Sequence, residues 1–462
     1  MMKRTNINYL RYTLPALLLA PSVTLHGENA PKFSGRPNII IIFTDDQGYG
    51  DLGCYGHPTI RTPHIDRMAE EGLLFTDFYA AAAVCTPSRA ALLTGRYAAR
   101  SGMNSVLFPH SEAGLPQSEI TMARALKKEG YATALFGKWH LGIHEGQRPG
   151  DHGFDISYGL PYSNDMDRRE GLPGHARYWV DPPLDGWNVP LQRDGETIER
   201  PADQRTLTKR YTEEALKFIR ENQDNPFFLY MPHTMPHTPL FVSDAFTGRS
   251  LRGLYGDVIE ELDWSTGQIL DLLREKGLDE NTLVIYTSDN GPWLSELEQG
   301  GSAGLLRGGK GMTWEGGFRV PAIAWMPGRI SPGGVTSEMA STLDIFPTLM
   351  ALAGAALPQD VVYDGMDLSP LLFDDESMPE RPFFYYRGSE LYACRLGEWK
   401  AHFITQYGWG LPGDREEHDP PKLFNLYHDP SERFNRADQN PEIIVEIEKA
   451  VNAHRASFGK DQ

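Results

Sequence analysis

Three cysteines in 462 residues, Cys54, Cys85 and Cys394, are too few to staple a fold, so this is no disulfide scaffold even in an oxidising compartment. Long apolar runs are missing too. The apolar stretch near the start, Tyr12 to Ala20, is too short to span a bilayer as an ordinary helix, and no later segment reaches that length. Basic charge is scarce: 44 Lys and Arg stand against 62 Asp and Glu, a formal net charge of -18. That balance argues against a body that grips nucleic acid through a broad basic face, so an anionic substrate must be held by a local cationic pocket. The H-E-x-x-H zinc helix is absent. Gly304 to Lys310 imitates the phosphate loop G-x-x-x-x-G-K, but Gly311 follows where that motif needs Ser or Thr, and no strand clearly precedes it. It reads as a flexible loop that delivers Lys310.

What remains is an ordinary globular composition, 40% hydrophobic and 23% charged, in a chain long enough for one large domain and one small one. Lys3, Arg4 and Arg11, then the apolar run, then a polar stretch before Pro31 have the layout of a secretory leader over residues 1–30. Pro15 interrupts the run and no clean A-x-A site appears, so a disordered N-terminus stays open. No cysteine lies near the cleavage region, which excludes a lipid anchor on that residue.

Four segments read as buried strands running directly into polar residues: Asn38 to Thr44 into Asp45-Asp46, and Ala132 to Gly137 into Lys138-Trp139-His140. The others are Phe227 to Met231 into His233 and His237, and Thr282 to Ser288 into Asp289-Asn290. Helical patterns lie between them, over Thr62 to Glu71 with Thr62 as N-cap, Ser118 to Glu129, Leu207 to Glu221 and Asp257 to Lys276, with a further helix at Thr342 to Ala353. This alternation predicts an α/β fold, a sheet covered on both faces, with its ligand site beyond the carboxyl ends of the strands, where all four polar clusters fall. After Gly365 the texture changes to short aromatic strands, Phe383 to Arg387, Tyr392 to Leu396 and Trp399 to Ile404, then a helix near Glu442 to Ser457. The predicted division is a catalytic domain over 31–364 and a small subdomain, an antiparallel sheet plus helix, over 365–462.

The strongest local signal is Cys85-Thr86-Pro87-Ser88-Arg89, continuing to Leu92-Leu93-Thr94-Gly95-Arg96. Pro87 suits a first helical turn, which puts Cys85 at a helix N-terminus, where free backbone N–H groups favour an anion. On these grounds alone Cys85 could equally be a small buried hydrophobe. Asp45-Asp46 and Asp289-Asn290 offer three carboxylates and an amide oxygen at two strand ends, hard ligands suited to calcium or magnesium; turn or cap roles are the bland alternative for either pair. Lys138 and His140 alternate and can point the same way if strand geometry persists past Gly137. His237, between Pro236 and Thr238-Pro239, and Lys310 complete a cationic set.

C-T-P-S-R followed by L-L-T-G-R resembles the signature of the type I sulfatases, and the resemblance extends by motif order from about Arg36 to about Asn435. It implies an alkaline-phosphatase-like mixed sheet flanked by helices, and a cysteine oxidised to formylglycine by a formylglycine-generating enzyme, with the hydrated aldehyde supplying the attacking oxygen. It further implies calcium, with magnesium as the lesser alternative, held by Asp45, Asp46, Asp289, Asn290 and the modified residue 85. By the same resemblance Arg89 and Lys138 support residue 85, His140 assists breakdown of the covalent sulfate, and Asp289 activates the nucleophilic hydroxyl. Lys310 and His237 grip the sulfate and its bridging oxygen, and Ser163 lies near the sulfate.

Gly253-Leu254-Tyr255-Gly256-Asp257, Lys310 through Glu315-Gly316-Gly317, Arg381 through Gly388 and Lys400-Ala401-His402-Phe403 resemble the arylsulfatase A and N-acetylgalactosamine-6-sulfatase branch. His402, Tyr386, Trp409 and Trp293 are candidates to bind a sugar through hydrogen bonds or a flat apolar face. The implied substrate is a sulfated carbohydrate, attacked at a chain end, with galactose or N-acetylgalactosamine 6-sulfate favoured and aryl sulfates as surrogates. The implied setting is secreted or periplasmic. The rival readings are a phosphomonoester or phosphonate hydrolase on the same sheet, and a non-catalytic sulfated-glycan binder if Cys85 is unmodified.

Overall fold

The computed structural model describes residues 35–172, 182–408 and 410–458. The leader read over residues 1–30 and Trp409 lie outside the described residues. Among those described, no helix is long and apolar enough to cross a membrane.

Asn38–Thr44 is apolar at nearly every position and buried along its whole length, as a central parallel strand covered on both faces must be. It pairs in parallel with Phe227–Pro232 on one side and Thr282–Ser288 on the other. Ala132–Phe136 and then Ile156–Gly159 extend the parallel core outward from Phe227–Pro232. Antiparallel partners close both flanks, Ala322–Trp325 beside Thr282–Ser288 and Leu191–Arg193 beside Ile156–Gly159, so the described sheet is mixed and ten-stranded. The register sets Thr44 against Ser288 and Phe43 against both Pro232 and Thr287, so three strands end at one level. Their carboxyl ends form the crevice expected of such a sheet.

Side-chain alternation divides the cover. Ile40 and Ile42 share a core with helices Pro63–Glu71, Leu207–Glu221 and Leu254–Glu275. On the opposite face Phe43 meets Arg89 of helix Cys85–Thr94, which packs against Met122–Lys128 and Thr342–Ala353. The small C-terminal sheet, Pro382–Arg387, Glu390–Leu396, Trp399–Thr405 and Glu416–Asn425, is antiparallel and is followed by helix Pro441–Ser457. Its Phe383, Tyr385 and Ala401 share a core cluster with Tyr79, Tyr97 and Phe318.

Three predicted boundaries move for visible reasons. The helix expected from Ser118 begins only at Met122, because Thr121 takes the cap position and its hydroxyl accepts the Arg124 N–H at 3.1 Å. The helix expected from Asp257 begins at Leu254, and Asp257 in its first turn instead accepts the N–H groups of Gly248 and Ser250, both at 2.7 Å. The strand predicted to run through Gly137 stops at Phe136. Gly137 has φ +142°, and a Cβ there would meet the Pro232 carbonyl oxygen at 1.9 Å, so the turn requires glycine. Thr62 occupies its predicted N-cap but makes no cap bond; its hydroxyl donates to Asp66. Gly300-Gly301-Ser302-Ala303-Gly304 spells the G-x-S-x-G elbow of other hydrolases, yet it lies in irregular backbone where Ser302 N–H bonds Asp51 at 2.8 Å.

A buried ionic cluster joins the two sheets. Glu315 accepts from Lys400 Nζ at 2.9 Å, Tyr385 at 2.9 Å and Tyr79 at 2.5 Å, and Lys400 also pairs with Glu432 at 3.0 Å. Burial alone would raise the Glu315 carboxyl, but Lys400, Arg319 and Arg395 outweigh it and hold the group at about 2. A depressed acid stabilises the fold above its unfolded value and loses that contribution as pH falls through the folded one. Glu315→Gln is therefore expected to cost roughly 3–5 kcal/mol near neutrality, the penalty of breaking a buried pair. Denaturant midpoints should show the gap between variant and wild type closing as pH drops from about 4.5 towards about 2; a gap that does not change with pH would assign the loss to packing.

Candidate active site

The parallel strand ends bring the predicted residues together. Asp289 N–H donates to the Thr44 carbonyl at 3.0 Å, and Asp46 N–H donates to Asp289 Oδ1 at 3.1 Å, which laces the two acidic pairs edge to edge. Asp46 takes φ +65°, an uncommon left-handed conformation for a non-glycine residue. Gln47 braces this turn, its N–H donating to Ser288 Oγ at 3.0 Å while its side chain accepts from Thr44 and Tyr286, both at 2.7 Å. Beyond Asn290 the backbone passes so close to Gly316 that a Cβ on Gly291 would lie 1.7 Å from the Gly316 carbonyl oxygen.

Cys85 begins its helix as expected, with Val84 at the N-cap providing no side-chain cap and the free thiol buried. Burial pushes that thiol up to about 11, ahead of the opposing pull of Lys138 and Lys310. Asp45 and Asp289 also act on it, so both acidic pairs and both lysines share its surroundings. Arg89, one turn on, donates to Asp289 Oδ2 at 2.7 Å and lies 3.4 Å from Asp45 Oδ1. Lys138 Nζ reaches Asp45 at 2.6 Å and Ser163 Oγ at 3.1 Å. Ser163 in turn lies 3.5 Å from His237 Nε2. Lys310 Nζ donates to Asp46 Oδ2 at 2.6 Å, and despite burial Asp46 keeps its ammonium charged.

The two histidines differ in what they can do. His140 takes φ +60°, so the strand geometry that would align it with Lys138 does not persist; Lys138 reaches the site regardless. His140 Nε2 faces the Leu107 carbonyl at 2.8 Å and must carry the proton there. Nδ1 is then the acceptor, buried without a hydrogen-bond partner, and burial holds the ring well below its ordinary value, so it is a neutral base with a free lone pair. Thr86 ties the helix of Cys85 to this loop by donating to the His140 carbonyl at 3.0 Å. His237 Nδ1 contacts the Thr238 carbonyl at 2.5 Å, leaving Nε2 towards Ser163 and Asp46. Burial, with Lys310 adding to it, lowers His237 to about 3.

The donor set fits a hard divalent cation. Asp45, Asp46, Asp289 and Asn290 are all buried, and Asp45 Oδ1 and Asn290 Oδ1 lack hydrogen-bond partners. Burial and the neighbouring Asp45 push Asp289 up to about 7, and the same causes raise Asp46. Three carboxylates against Arg89, Lys138 and Lys310 sum to zero. A divalent ion would leave the pocket with a net positive charge and ready for an anion. Ligating atoms of Asp45, Asp46 and His237 also lie within 4.8 Å of one another, but oxygen-rich coordination suits calcium or magnesium better than an imidazole does.

One predicted substrate residue is corrected. His402 is fully buried, shares a strand face with Lys400, bonds Glu432 at 2.7 Å and lies with its ring 4.4 Å from that of Trp314, so the structure places it in the ionic cluster between the sheets rather than with the other predicted site residues. Tyr386 is likewise occupied, its hydroxyl 2.9 Å from His454 Nε2. Trp293 does reach the site, its ring 4.2 Å from Lys310 Nζ and 5.4 Å from the His237 ring. Sequence reasoning misses Gln47 and also Asn164, which donates to the Pro239 carbonyl at 2.9 Å and so fastens the His237 loop. Each directly follows a residue that the sequence does single out, Asp46 and Ser163, and that adjacency is the available signal.

The Sulfatase family model matches residues 37–355, and the model for the C-terminal region of aryl-sulfatase matches residues 378–462. The chain is similar to arylsulfatase A of Homo sapiens, 43% identical over 463 residues that cover 92% of this chain and 90% of the relative. It is also similar to N-acetylgalactosamine-6-sulfatase of Canis lupus familiaris, 41% identical over 486 residues, 96% of this chain and 90% of the relative. Among solved structures it resembles the PsFucS1 sulfatase from Pseudoalteromonas sp., with TM-score 0.83 and 32% identity over 93% of this chain and 92% of that one.

Proposed function

We propose that this chain, which belongs to the sulfatase family and is a sulfuric ester hydrolase, removes sulfate from the end of a sulfated carbohydrate through a formylglycine made from Cys85. The observation that carries the reading is Cys85 at the first turn of a buried helix, under the combined charge of Lys138, Lys310, Asp45 and Asp289. A formylglycine-generating enzyme would be the maturation partner, and an export leader with a secreted or periplasmic setting suits the same reading.

Formylglycine at residue 85 would supply one hydroxyl as nucleophile and a second for the release of sulfate, and calcium, which Asp45, Asp46, Asp289 and Asn290 would hold, would supply Lewis-acid charge. The chain's own groups do the rest. Arg89 holds Asp289 in place, and Asp289 takes the proton of the attacking hydroxyl. Lys138 and Lys310 supply fixed positive charge to the sulfuryl oxygens, and stabilisation of this kind usually lowers such barriers more than any other effect. Lys310 Nζ, permanently charged, donates to the bridging oxygen as the alcohol departs, and the neutral His237, whose Nδ1–H is taken by the Thr238 carbonyl, borders the same position. His140 Nδ1, whose lone pair is free, takes the proton of the second hydroxyl.

The acidic surface repels a long polyanion laid along it, which favours attack at a chain end. A panel of defined sulfated sugars tests this. Terminal galactose or N-acetylgalactosamine 6-sulfate should be desulfated fastest, with aryl sulfates turned over as poorer surrogates. Sulfate released from internal positions of an intact polymer, with no activity on those terminal sugars, would overturn the substrate assignment.

A further inference from the structure

We infer that Trp293 is the platform on which the ring bearing the sulfate lies, and that it sets a preference for flat-faced alcohols over small aliphatic ones. The inference rests on the sulfate-ester reading and adds a specificity-determining residue to it.

Trp293 follows Asn290-Gly291-Pro292, so it leaves the cation site directly. Its backbone is clamped to the lysine loop, with Lys310 N–H donating to the Pro292 carbonyl at 2.9 Å and Glu296 N–H donating to the Trp293 carbonyl at 3.0 Å. The indole face covers Lys310 Nζ at 4.2 Å, and its ring is tilted 56° to that of His237 at 5.4 Å. Lys310 and His237 are buried, whereas Trp293 is only half-buried. The indole therefore passes from the two buried groups out towards solvent.

The chemistry of the ester turns this placement into a prediction. Groups that act on the bridging oxygen sit within about 2.6–3.2 Å of it. The carbon bonded to that oxygen must lie beside the same two groups, with the ring that it belongs to, or that it carries one bond further on in a 6-sulfate, next to them, and the indole borders both groups. A planar aromatic face offers an apolar surface to a sugar face or an aryl ring, and gives almost nothing to a methyl group.

The test compares wild type, Trp293→Ala and Trp293→Phe on an aryl sulfate and on a short alkyl sulfate, with inorganic sulfate as competitive inhibitor. Trp293→Ala should raise KM for the aryl sulfate roughly tenfold, the scale of one lost aromatic contact, with kcat and alkyl-sulfate turnover changing by less than about threefold. Inhibition by inorganic sulfate should stay within about twofold of wild type, and Trp293→Phe should recover most of the loss. A parallel weakening of inorganic sulfate would show that the indole only positions Lys310, and an unchanged KM would place it outside the substrate's path; either overturns the inference alone. Wild-type enzyme inert towards every sulfate ester would overturn the sulfate-ester reading as well.

Discussion

Replacing Cys85 with Ala is expected to abolish sulfate release, by about a million-fold as for other lost nucleophiles, while the protein stays folded. The two halves of this result have separate physical origins. Cys85 is a free, buried residue in the first turn of its helix, and Ala is the best helix former, so the substitution removes one sulfur and costs roughly 1–2 kcal/mol. The site around it is held by other contacts: Arg89 to Asp289, Lys138 to Asp45 and Lys310 to Asp46 do not pass through residue 85. Activity is lost because no remaining side chain there can offer an attacking oxygen that also leaves a route for sulfate to depart. Matched thermal denaturation of variant and wild type separates the two effects. Substantial turnover by a folded Cys85→Ala protein would remove residue 85 from the mechanism.

Chelation of the wild type is expected to silence it, and Asp289→Asn to make the loss permanent. The variant keeps the size of the side chain and an oxygen towards the ion, but removes one of three carboxylates and loosens Arg89, so sulfate release should fall roughly 1000-fold. Stability gives an independent readout. A ligand present at about a hundred times its Kd adds about 2.7 kcal/mol, so calcium should raise the melting temperature of the chelated wild type clearly and that of Asp289→Asn little. Elemental analysis of dialysed, active protein should find a single calcium or magnesium ion. Stoichiometric zinc with neither of these would point instead to His237 joining Asp45 and Asp46.

Much of this was legible in the sequence because its signals are local. A fully buried parallel strand needs an unbroken apolar run, as at Asn38–Thr44 and Thr282–Ser288, and the polar residues ending each run could only fall at the carboxyl edge of the sheet. The C-T-P-S-R run marks a helix start. What stayed hidden depends on contacts between distant segments. Glu315, Lys400 and Glu432 are spread over more than a hundred residues and are ordinary surface-type side chains until the fold encloses them. His402 is misplaced by sequence for the same reason, since nothing in Lys400-Ala401-His402 tells which face of the strand turns inward. The short flanking strands Leu73–Phe75 and Ala322–Trp325 carry too few residues for a period to show. Left-handed backbone at Asp46 and His140 depends on tertiary packing, because Asp and His tolerate that conformation without requiring it.

The peptide containing residue 85, taken from active enzyme and weighed by mass spectrometry, tests the formylglycine mechanism most directly. The expected peptide is lighter than the cysteine form by the exchange of CH2SH for CHO, in a fraction that tracks specific activity across preparations. Fully active enzyme carrying only the thiol at residue 85 would contradict it.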